Sequence, residues 1–69
     1  MLMQIDEARK SIKKAISKFN ASLVKYWTSQ GTCHQLYELP SGTQLKLSVT
    51  PHSNGSDIEI VWQWILTAN

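Results

Sequence analysis

The stretch IDEARKSIKKAISKFNASLVKYW, residues 5–27, decides the fold, because the period chosen for it determines what everything after it must cover. Laid out at about 100° per residue, Ile5, Ala8, Ile12, Ala15, Ile16, Phe19, Leu23, Tyr26 and Trp27 gather on one stripe. Lys10, Lys14, Lys18 and Lys25 fall on the opposite side, the pattern of a helix docked on a core. Asp6 and Glu7 sit in the first turn, where acids complement the helix dipole. Ser29-Gln30-Gly31 reads as the stop, so the expected helix spans about residues 5–29. Asn20-Ala21-Ser22 is its weak point, since Asn and Ser compete for backbone hydrogen bonds.

Downstream the period changes to two. Gln44 to Thr50 alternates cleanly, with Leu45, Leu47 and Val49 inward and Lys46 and Ser48 outward. Thr32 to Leu39 precedes it across the turn signal Pro40-Ser41-Gly42. After the polar loop Pro51 to Ser56, the run to Thr67 puts Ile58, Ile60, Trp62, Trp64 and Leu66 on one side. The predicted fold class is α+β: one N-terminal amphipathic helix packed on a three-stranded antiparallel meander sheet, α-β-β-β, in two layers. Its strands cover about residues 32–39, 43–50 and 57–67, within a single domain of residues 1–69.

Size constrains this design. A chain of 69 residues buries only about 60% of its unfolded surface, so its margin of stability is thin. One cysteine cannot close an internal disulfide, and no Cys/His set has zinc-ligand spacing. Three tryptophans are expected to supply much of the core. A lone thiol and an N-terminus without an export signal point to a cytoplasmic setting. No run approaches the ~18 apolar residues of a membrane span.

Charge is split along the chain. Six of the seven basic residues lie in the first 25 positions, while Lys46 stands alone later against Glu38, Asp57 and Glu59. The Lys10, Lys14, Lys18 and Lys25 ladder is therefore the candidate partner-binding face. A second candidate is the sheet face away from the helix, where Leu36, Val61 and Ile65 form a partner or dimer interface on a terminal, edge-placed strand.

Catalytic chemistry is not expected. There is no Gly-rich phosphate loop, H-E-x-x-H or nucleophile elbow. Cys33 and His34 are adjacent on a strand and point to opposite faces. Asp57 and Glu59 share a face beside a polar loop and read as solvated acids.

The expected object is non-enzymatic, without cofactor or metal: a small adaptor or inhibitor, of the kind bacteria and phages encode. It docks on a larger protein assembly through an acidic protein partner, as a homodimer, and away from membranes. The alternative is a nucleic-acid-binding protein using the basic helix face. Two features weigh against that alternative: a net charge of only +2, and tryptophans assigned to the helix side of the sheet rather than its open side.

Overall fold

The computed structural model describes residues 2–53 and 55–65. The helical pattern holds from Ile5 to Phe19 (α1) and ends there. Asn20 takes the left-handed conformation (φ 52°, ψ 45°). Its N–H donates to the Ser17 carbonyl at 3.2 Å, and the Ala21 N–H donates to the Ile16 carbonyl at 3.0 Å. This is a Schellman stop, with Ala21 and Ile16 both packed against the core.

The expected continuation of the helix to residue 29 is thus corrected: Ser22–Ser29 is a strand, β2. The physical reason lies in two turns, one at Asn20 and one at Gln30-Gly31. Asn is the residue after Gly that enters the left-handed region most cheaply. Gln30 and Gly31 both have positive φ (51° and 78°), which makes them a two-residue hairpin turn matched to the strand twist, not a helix cap. Asn20→Ala is therefore expected to cost about 1–2 kcal/mol in a urea melt, with Asn20→Gly at or above wild type. A helix running through residue 20 would give the reverse order.

Four more strands complete the sheet. They are the short β1 (Leu2–Gln4), ahead of the helix, then β3 (Thr32–Glu38), β4 (Gln44–Pro51) and β5 (Asp57–Ile65). All pairings are antiparallel, in the order β1-β5-β4-β3-β2. The α+β class and the N-terminal helix stand, with five strands in place of three. The last strand is not at the sheet edge, because β1 pairs with it from Asp57 to Glu59. β1 covers three residues, too few for periodicity to reveal. Leu66 and Thr67, expected to end the last strand, lie outside the described residues.

Register divides the side chains between two faces. Cys33, Gln35 and Tyr37 of β3, Leu45, Leu47 and Val49 of β4, and Ile58, Ile60, Trp62 and Trp64 of β5 lie on the helix side. Ala8, Tyr37, Leu47 and Ile60 form the buried centre, with Met3, Ile12, Ile16, Val49, Ile58 and Trp62 packed around them. Burial raises the Tyr37 phenol above its usual pKa, with Cys33 as a lesser cause; its hydroxyl donates to Gln35 Oε1. The tryptophans contribute less core than expected. Trp62 is half-buried, Trp64 is exposed beside Phe19 in an edge-to-face contact at 5.6 Å, and Trp27 stands on the other face.

The 15-residue helix is about 22 Å long and packs chiefly on β1 and β5. It leaves the β2 side of the sheet uncovered.

Candidate functional site

The face of the sheet away from the helix is built by alternation on β2 to β5. Once the hairpin turn sets Ser29 opposite Thr32, Trp27 falls opposite His34 and Lys25 opposite Leu36. Across β4 the same rows continue through Ser48 and Lys46, and across β5 through Val61 and Gln63. Two adjacent rows result: Trp27, His34, Ser48, Val61 and Lys25, Leu36, Lys46, Gln63.

The first row holds a ring stack. Trp27 and His34 lie nearly parallel, 19° apart, with centroids separated by 5.2 Å. His34 Nδ1 shares a hydrogen bond of 3.2 Å with Ser48 Oγ, which fixes the imidazole from the β4 side. Both lysines of the second row lean onto the indole, with Lys25 Nζ 5.3 Å and Lys46 Nζ 5.7 Å from its centroid. Such contacts are worth about 0.5–1 kcal/mol at exposed sites. Thr32 and Thr50 share a 2.9 Å hydroxyl hydrogen bond in the next row. The patch is an indole–imidazole stack with two ammonium groups at the indole and several hydroxyl and amide groups around it.

The anticipated site residues separate. Lys10, Lys14 and Lys18 do share the exposed face of α1. Lys25 is not with them, because residues 22–29 form a strand and carry it to the opposite side of the molecule. A broad groove of about 530 Å³ follows the helix flank, lined by Asp6, Arg9, Lys10, Ile12 and Lys13. It has charge but no ring. Leu36, Val61 and Ile65 all lie on the open face, as expected. They do not form a continuous apolar surface, since Lys46 and Ser48 of β4 stand between Leu36 and β5.

The remaining candidates also separate. Cys33 is half-buried on the helix side with Gln35 Nε2 3.8 Å from its sulfur, while His34 is on the open face. Glu38 pairs with Gln44 at one end of the strands, and Asp57 and Glu59 lie at the other. Among the described residues, no group of three His, Cys, Asp or Glu side chains is placed to hold a metal ion. No helix there is long and apolar enough to cross a membrane.

Sequence reasoning missed Trp27, His34 and Lys46 as a set. The available signal was a two-residue X-Gly turn at Gln30-Gly31 between two strand-compatible runs, which specifies a hairpin and its register. No family model, curated protein or solved structure matches this chain.

Proposed function

We propose that this protein binds single-stranded nucleic acid on the open face of its sheet. The observation that carries this reading is the Trp27–His34 stack with two lysine ammonium groups at the indole. A base can stack on an aromatic ring whatever its identity, here on the part of the half-buried indole that solvent reaches, and the lysines can swing from the ring to flanking phosphates. Each lysine then exchanges a weak cation–π contact for a phosphate contact that releases a counterion. Ser48 and Gln63 offer hydrogen bonds to base edges. The acids Glu38, Asp57 and Glu59 bound the patch at its ends, so the footprint on one copy is short. Affinity is correspondingly modest.

This reading replaces the helix ladder as the nucleic-acid surface. The ladder has charge without an aromatic platform; the open face has both. Docking on an acidic protein partner, the role expected of an adaptor or inhibitor, draws on the same lysines and is the competing outcome of the test.

Fluorescence anisotropy with labelled oligo(dT), oligo(U) and a duplex of equal length provides the test. With two phosphate contacts, log K against log salt concentration should have a slope of about −1.4 for single strands. That is roughly a sevenfold loss from 50 to 200 mM salt. Lys46→Ala should halve the slope, whereas Lys10→Gln/Lys14→Gln should leave it unchanged. Preference for the duplex, or loss of binding in the helix variant, would move the site to α1. Absence of binding to any oligonucleotide at 50 mM salt would overturn the proposal in favour of a protein partner.

A further inference from the structure

We infer that a second copy of this chain pairs antiparallel with the outer edge of β2, joining two five-stranded sheets into one. β2 is the last strand of the sheet, and among the described residues nothing pairs with its outer side. It is eight residues long and carries three large hydrophobic side chains that are more than half exposed: Leu23 at 56%, Val24 at 54% and Tyr26 at 65%. Natural edge strands are normally shortened, charged or covered. This one has only a bulge between Leu23 and Lys25 and a single charged residue, Lys25.

The chemistry of the edge selects its occupant. A strongly acidic strand would find one lysine, itself drawn onto Trp27, and a basic strand would find no acid at all. A neutral, apolar strand fits, and an antiparallel edge is complementary to itself about a two-fold axis. Register follows from the turn. With Ser29 and Thr32 closing a two-residue hairpin, Ser29, Trp27 and Lys25 direct their backbone groups to β3, so Thr28 and Tyr26 direct theirs outward.

Centring the two-fold on Tyr26 sets Tyr26 against its own copy, Lys25 against Trp27 of the second copy, and Val24 against Thr28. No like charges face each other. The most exposed of the strand's large hydrophobic side chains lies at the axis, and each lysine gains a second indole. The two stacking platforms then adjoin on one face. This deepens the single-strand reading, because it doubles a footprint that is short on one copy, but the dimer itself requires no nucleic acid.

Light scattering coupled to size exclusion at 5–200 µM, without nucleic acid, tests it. The wild type should be dimeric, and Ser41→Lys, in the β3–β4 turn, should remain so. Tyr26→Lys and Tyr26→Glu should each be monomeric with unchanged circular dichroism. Mixing these two variants should restore a dimer, because residue 26 meets its own copy at the axis. A monomeric wild type throughout this range would overturn the inference, as would a Tyr26→Lys dimer or an equimolar mixture that stays monomeric. Loss of oligonucleotide binding with the dimer intact would count against the single-strand reading alone.

Discussion

Leu47→Ala should lower the thermal midpoint by roughly 10–30 °C, the largest stability effect of any single truncation in the chain. Leu47 is the largest fully enclosed side chain, with 0% of its surface exposed. It lies on the central strand between Gln35 and Trp62 and belongs to the buried cluster with Ala8, Tyr37 and Ile60. Removing a buried leucine costs about 2–5 kcal/mol, since the transfer energy is lost and the cavity only partly closes. A domain of this length holds roughly 3–10 kcal/mol in total, and each kcal/mol moves the midpoint by about 4–8 °C. Val61→Ala, on the exposed open face, should stay within about 0.5 kcal/mol of wild type. Equal melting of the two variants would mean that the helix does not enclose β4.

Trp27→Ala should weaken single-strand binding about 10- to 100-fold while leaving the fold intact. Stacking of a base on an aromatic side chain is worth about 1–3 kcal/mol, and this substitution removes the platform outright. It also frees Lys25 and Lys46 from the ring, so electrostatic attraction persists and the salt slope should change little. That split separates stacking from phosphate contact. Trp27 lies on the face opposite the buried cluster, so circular dichroism should be nearly unchanged, with the melting midpoint lowered only by the loss of two cation–π contacts and a ring stack, about 1–2 kcal/mol. Trp64→Ala, on the helix side, is the matching control and should bind as wild type does. An affinity equal to wild type in Trp27→Ala would mean that no base stacks on the indole.

Much of the scaffold was legible in the sequence. The heptad-like stripe from Ile5 to Phe19, the alternation from Gln44 to Val49 and the turn at Pro40-Ser41-Gly42 each obey a single period or a single turn chemistry. Residues 22–29 do not. Leu23, Tyr26 and Trp27 satisfy a helical stripe, while Lys25, Trp27 and Ser29 satisfy alternation. The decision falls to Asn20 adopting a left-handed turn, a local backbone choice that a hydrophobic pattern does not encode. The candidate site inherited that ambiguity. Its aromatic centre and one of its two lysines lie on β2, so they meet His34 and Lys46 only after the strand is recognised and its hairpin register applied. Leu36, Val61 and Ile65 were legible as outward-facing because β3 and β5 kept their expected phases. Their separation by Lys46 and Ser48 required the strand order, which depends on pairing across the chain.

On the proposed reading, the open face around Trp27, not the basic helix, receives single-stranded nucleic acid. The most direct measurement is a two-dimensional ¹H–¹⁵N NMR titration of the full chain with an unlabelled oligo(dT). Progressive shifts of the Trp27 indole N–H and of the His34, Lys46 and Ser48 amides are expected, with Lys10, Lys14 and Lys18 unmoved. Shifts confined to the helix, or none at millimolar oligonucleotide, would contradict binding at the open face.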